Sequence, residues 1–189
     1  MNIKVQLTRQ SNVNYFNTEL HSIQEIDLEQ YVAAVVASEI GNGNIEACCA
    51  QAIAARTFAV ARGVLEGQII SDSSATAQAY RAERYSIEKY PNCIEGAKRT
   101  KSLILTYKGK PISAVYSASN GGCTVSSKEK WGSARAYLIA QDDPWDAAVG
   151  KKKNGHGVGM SQTGCGWAAT HGYNYKQILN FYYPNTELK

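Results

Sequence analysis

Three parts of the 189-residue chain have residue types and spacing suited to chemistry: Glu39, Arg56 and the segment Gly155–Trp167, GHGVGMSQTGCGW. On a helix starting at Leu28, Glu39 follows Val32, Val35 and Val36 at helical spacing, so it falls on the apolar stripe. A carboxyl group there is costly unless it is paired or protonated, and burial favours the neutral form that a general acid uses. Arg56 lies among Ala52, Ile53 and Ala59, so it too faces inward and needs a carboxylate or a bound anion. Glu39 is a natural partner if the two helices pack antiparallel. Such a pair would favour the ionised carboxylate, against the pull of burial. The alternative is an Arg56 that reaches the surface along its own stem.

The third part holds five glycines in 13 residues, which lets backbone approach a ligand closely. His156 sits between two of them, outside any core pattern. Ser161 and Gln162 are placed to cap a following helix and orient polar groups. Cys165 is read as packing: a cysteine nucleophile needs a distant base, and only His171 follows it. His21, His156 and His171 show no ligand spacing with cysteines or carboxylates, so neither metal nor cofactor is expected.

The elements that must position these residues follow from patterning. Residues 2–8 alternate apolar and polar and read as a strand, with 12–17 as its hairpin partner. Asp27 and Gln30 form a capping box for a helix running to about Glu39. The GNGN turn stops it, and Asn44 caps a second, alanine-rich helix ending near Gly67. Residues 68–86 read as loop, 87–100 as a third helix, and 103–116 as a hairpin around Lys108-Gly109-Lys110. SASNGGCTVSS continues as a loop, a helix spans about 161–171, and a short amphipathic helix closes the chain. The expected class is α+β. It is a single compact domain over 1–189, an alanine-rich helix pair packed with β-hairpins and a substrate groove between helices and glycine-rich loops.

Composition narrows the function. A formal net charge of +4, with one clustered run at Lys151–Lys153, gives no basis for a nucleic-acid partner. Five cysteines without a CxxC pair are neither a disulfide framework nor a zinc ribbon. No run reaches the length of a membrane span, and the N-terminus lacks the apolar core of a signal peptide. Twelve tyrosines suit a carbohydrate or protein contact surface, and equally a tyrosine-rich β surface.

LEQYVAAVVASEI with IEACCAQAIAARTFAVAR, then YSASNGGCTVSSKEKWG with AYL, then GHGVGMSQTGCGWAATHGYNYKQILNFYYPNTEL, together resemble the SpoIID (stage II sporulation protein D) and amidase-enhancer family over about residues 25–188. The resemblance implies a peptidoglycan lytic transglycosylase, which cleaves between N-acetylmuramic acid and N-acetylglucosamine and leaves a 1,6-anhydro end. It implies Glu39 as the catalytic residue, Arg56 as a residue implicated in activity, and Tyr137 as the tyrosine of the YL motif. The loops bring Tyr116, Ser117, Ser119, Gly121, Gly122, His156, Gly157, Ser161 and Gln162 to the substrate. His156 is expected to fix its loop or to hydrogen-bond a sugar or Glu39. The alternative function is a non-catalytic glycan-binding module that stimulates a cell-wall amidase. The expected partners are peptidoglycan glycan strands and such an amidase.

The chain departs from the family pattern in three places. The stretch after the second helix lacks the His and Cys with which some members bind zinc. Ile139 stands where a lysine is frequent. The stretch between 140 and 155 is short, as though a middle subdomain had been reduced. Without a visible signal peptide, action at the bacterial cell wall implies a phage or mobile-element lysin, or a chain whose anchor has been removed.

Overall fold

Ile3 and Val5 of β1 (Asn2–Gln6), with Leu7 just beyond it, point into the core. The structure, a computed structural model, describes residues 1–189. The segment expected to pair with β1 is instead a helix, α1 (Gln10–Phe16), ended by Asn17 in the left-handed region at φ 48°. Its buried Asn12 decides this. The Asn12 amide donates to Asp72 Oδ2 (2.8 Å) and Tyr80 O (3.0 Å) and accepts from the Ala82 N–H (2.9 Å), contacts that a strand in that place would lose. The antiparallel partner of β1 is β2 (Ile23–Asp27), with Asn2 opposite Asp27.

Asp27 then caps α2 (Leu28–Ile40), accepting from the Glu29 and Gln30 N–H groups at 3.0 and 3.2 Å. Residues 31–37 are all buried, so α2 is a central helix without a wet face. Its apolar stripe therefore does not single out Glu39; the glutamate is distinguished because the last turn emerges from the core. Asn44 caps α3 (Ile45–Ala61), accepting from the Glu46 N–H. The helix stops short of Gly67, since Gly63 turns at φ 79° into a 3-10 turn at Val64–Glu66. Within the stretch read as loop, β3 (Ile69–Ser71) buries Ile70 and pairs in parallel with β1. The third helix, α4 (Pro91–Arg99), starts at its proline, where the missing N–H costs nothing.

The expected hairpin forms from β4 (Leu105–Tyr107) and β5 (Lys110–Pro111), with Gly109 at φ 75° in its turn. Beyond it come β6 (Tyr116–Ser117), α5 (Ser127–Trp131), α6 (Pro144–Val149), β7 (Met160–Ser161), α7 (Gln162–Thr170), α8 (Tyr175–Tyr182) and β8 (Glu187–Leu188). β8 lies on the other edge of β4, and β6 pairs in parallel with β7. The class is mixed α+β. No helix is long and apolar enough to cross a membrane.

Alanine makes α3 the common wall of two apolar clusters. Ala52, Ala55 and Ala59 face α2 and the first sheet, while Ala50, Ile53 and Ala54 face β4, α7 and α8. Gly96 of α4 packs so tightly that a Cβ on it would lie 2.9 Å from the Cys48 carbonyl carbon. Close backbone approach of this kind needs small residues on both helices.

Candidate functional site

A groove of about 820 Å³ opens where the two clusters meet. The C-terminal ends of α2 and α3 supply Glu39, Phe58 and Arg62, and the 74–78 loop adds Gln78. The opposite side carries residues 113 and 115–118, then Trp131, Ser133 and Arg135, then Asn154–His156.

Glu39 is the one carboxylate lining this groove. Its Oε1 accepts from the Ala79 N–H (2.9 Å) and its Oε2 from Gln162 Nε2 (3.2 Å). It forms no ion pair. Two neutral donors thus hold the carboxyl group in place. Behind it, Tyr116 OH donates to Gln78 Oε1 (2.6 Å), and Gln78 Nε2 donates to Tyr31 OH and Ala55 O (both 3.3 Å). Burial, with the Glu39 charge adding to it, holds the Tyr116 phenol well above its ordinary range, so it serves here as a neutral donor.

Arg56 does not pair with Glu39. Its Nε and Nη2 take both oxygens of Glu29 at 3.0 and 2.5 Å, and further donors reach Leu103 O (3.1 Å) and Ala97 O (3.2 Å). The reason is helix direction. α3 runs back along α2, so Arg56 on its fourth turn meets the first turn of α2 rather than the last. The side chain is 1% exposed and borders a separate cavity with Leu28, Val60 and Ile104. Arg56 therefore stands outside the groove, as a tie between α2, α3 and α4.

The glycine-rich segment is held against β6. Gly159, at φ 71°, passes so close that a Cβ would lie 2.2 Å from Val115 O, and a Cβ on Gly155 would lie 2.6 Å from that of Ser117. The Gly157 N–H donates to Ser117 Oγ (3.2 Å). His156 lines the groove, and its Nδ1 accepts from the Val158 N–H (3.0 Å), which fixes its own loop. Burial, opposed by hydrogen bonding to the Tyr116 backbone and reinforced by the Lys130 and Lys153 charges, holds the imidazole below its ordinary range. Tyr137 is buried outside the groove lining; its OH accepts from the Ser113 N–H (3.3 Å) and Arg135 Nη1 (3.1 Å), so it supports two residues that do line it.

Ser119, Gly121, Gly122 and Ser161 do not line the groove. They surround two buried carboxylates that patterning did not single out, Asp143 and Asp146. Asp146 accepts from Ser119 Oγ (2.9 Å), the Asn120 and Gly121 N–H groups (both 3.1 Å) and Ser161 Oγ. Asp143 caps α6 and accepts from Asn120 Nδ2 (2.7 Å) and Tyr182 OH (2.8 Å). The Gly122 N–H donates to Asn120 Oδ1 (2.9 Å). This knot anchors both loops behind the groove, so the expected substrate-contact role for these four residues becomes one of support. A signal was present: Asp143 before Pro144 is a helix start, and Asp146 three residues on lies on the same face. No three His, Cys, Asp or Glu side chains converge to hold a metal.

Comparison with known proteins bears on this arrangement. The SpoIID family model, described as stage II sporulation protein, matches residues 16–107, which include Glu39 and Arg56. The stage II sporulation protein D of Bacillus amyloliquefaciens is 34% identical over 154 residues, covering 71% of this chain and 44% of that protein. That of Bacillus subtilis is 25% identical over 269 aligned residues, covering 94% of this chain and 78% of the relative. The Amidase enhancer of Bacillus subtilis is 36% identical over 107 residues, 57% of this chain and 14% of that protein. The chain thus spans less than half of two of these relatives, and its alignment to the third is longer than the chain itself. The family model and these relatives place the likeness to the SpoIID family over both the helix pair and the chain beyond it.

Proposed function

We propose that the groove cleaves peptidoglycan glycan strands as a lytic transglycosylase, with Glu39 as both acid and base. The observation that carries this reading is a single carboxylate, free of any cation, facing a groove of about 820 Å³. Hydrolytic glycosidases use two carboxyl groups across the scissile bond. One suffices when the substrate supplies its own nucleophile. Glu39 donates its proton to the glycosidic oxygen, the C1–O bond breaks, and N-acetylglucosamine leaves with a free C4 hydroxyl. The muramoyl C6 oxygen then bonds to C1 while Glu39 takes the C6 hydroxyl proton, which restores the acid. Atoms and protons balance without water. Gln162 and the Ala79 N–H keep the carboxyl group aimed through both steps.

Mass spectrometry of digested glycan strands tests this. The parent chain is expected to release 1,6-anhydromuramoyl ends, and Glu39→Gln to release them at least 100-fold more slowly, the order of a lost general acid–base. Equal rates for the two would refute the assignment. The likeness to an Amidase enhancer supports a second reading, a glycan-binding module that stimulates an amidase. It predicts glycan retention with no new ends, and faster amidase turnover when both proteins are present.

A further inference from the structure

Trp131 closes α5, a short helical turn capped by Ser126 at one end and by Gly132 at φ 77° at the other. It lines the groove that holds Glu39, yet it is 49% exposed. Its ring centroid lies 5.3 Å from that of His156 with the planes tilted by 60°, a contact that fixes the indole and leaves much of it open. Its place on the wall of the groove, rather than its exposure, sets it apart from the other exposed apolar side chains. Three cations lie at this corner of the groove, two of them close enough for their charge to act on His156. Lys130 precedes it on the same turn. Lys153 packs on Gly157, its Nζ 3.0 Å from where a Cβ would stand, one residue from His156. Arg135 lines the groove and spends one donor on Tyr137 OH. None of the three is in an ion pair; the acid on the turn, Glu129, is exposed and unpaired.

We infer that Trp131, Lys130, Lys153 and Arg135 form a subsite for a carboxylate-bearing amino sugar, which places a muramoyl residue rather than a neutral glucosaminyl residue at this end of the groove. The inference rests on the glycan reading above. A pyranose lays its C–H face on the indole, and the indole contributes apolar contact without regard to charge. The lactyl carboxylate on the sugar's C3 oxygen then reaches the cations, which distinguish the acidic sugar by charge-assisted hydrogen bonds.

Calorimetric titration in a Glu39→Gln background, where bound strands stay intact, separates these contributions. Three probes of equal length serve: muramoyl glycan with free carboxylates, the same glycan methyl-esterified, and a chitooligosaccharide. Free-carboxylate glycan is expected to bind about tenfold more tightly than either neutral probe, and added salt should narrow the gap. Trp131→Ala should weaken all three by about three- to tenfold, while Trp131→Phe retains most of the affinity. A Lys130→Gln, Lys153→Gln double variant should weaken the acidic glycan alone. Equal binding of acidic and esterified glycan, or undiminished binding by Trp131→Ala, overturns the subsite while leaving the glycan reading intact. Failure of all three probes to bind overturns that reading and the subsite together.

Discussion

His156 shows how a single residue in the glycine-rich loop links structure to pH. Its Nδ1 accepts a hydrogen bond from the Val158 N–H, so the neutral ring carries its proton on Nε2. Protonating Nδ1 would break that bond, in a half-buried place already near Lys130 and Lys153. The folded state therefore resists a proton that the unfolded chain accepts. Above about pH 7.5 both states are neutral and the residue has no effect on pH dependence. As pH falls below that value, the unfolded state gains protons first and stability is lost, until the folded ring is itself protonated. Urea midpoints are expected to drop between about pH 7.5 and pH 5.5, a range above ordinary carboxylate titration. His156→Asn, whose amide oxygen can still accept from Val158, should flatten the change. A midpoint equally steep in pH for both proteins would refute this account of the loop.

At the scale of elements, Arg56 fastens three helices by their ends. The guanidinium joins the first turn of α2 through Glu29, the C-terminal part of α4 through Ala97 O, and the approach to β4 through Leu103 O. Removing one partner of a buried pair leaves the others unsatisfied, so Arg56→Ala is expected to cost about 3–5 kcal/mol in chemical denaturation. Glu29→Ala should cost a comparable amount, because it leaves the buried Arg56 charge without its carboxylate. Near-complete additivity in the double variant would mean the two do not act as a pair. Arg56→Lys should retain glycan affinity in whatever fraction folds, whereas a substrate-contact role would lower affinity without lowering stability. Much of this scale was legible from sequence. The caps at Asp27 and Asn44, the turn at Gly109 and the helix after Ser161 each rest on local chemistry, and each formed where patterning put it. Three features were not legible. The helix at α1 depends on Asn12 meeting Asp72 across a distant loop, β3 depends on a parallel partner far along the chain, and the Arg56 pairing depends on which end of α2 lies beside which turn of α3. Each is a tertiary contact that no periodicity records. In the site, the glycine loop and Glu39 stood out by residue type, whereas Trp131 and the Asp143–Asp146 knot acquire meaning only once the loops are brought together.

For the whole molecule, the groove lies on the seam between two apolar clusters that share α3. Glu39, Phe58 and Arg62 stand on the helices of the first cluster, and Trp131, Arg135 and His156 on segments beside Val125, Tyr137 and Val158 of the second. A strand seated in the groove must therefore touch both, and it binds only when they are correctly joined. Because α3 is one continuous helix buried by both clusters, the two should unfold together, with the Trp145 signal of the second cluster and the helical signal of both giving one transition. A ligand that binds only the folded state stabilises it by about 2.7 kcal/mol at a hundredfold excess over its Kd. For a chain of this size that corresponds to a rise in Tm of roughly 5–11 °C. Glu39→Gln with intact muramoyl glycan is the suitable pair for the measurement, since the ligand is not consumed. Both signals should rise by the same amount. A rise in the Trp145 signal alone would mean that the strand sits on the second cluster without reaching Glu39. No rise in either, at a glycan concentration that saturates the groove by titration, would mean that the bound strand does not require the seam to be closed, and a carboxylate on one side of the seam could not then act on a sugar held by the other.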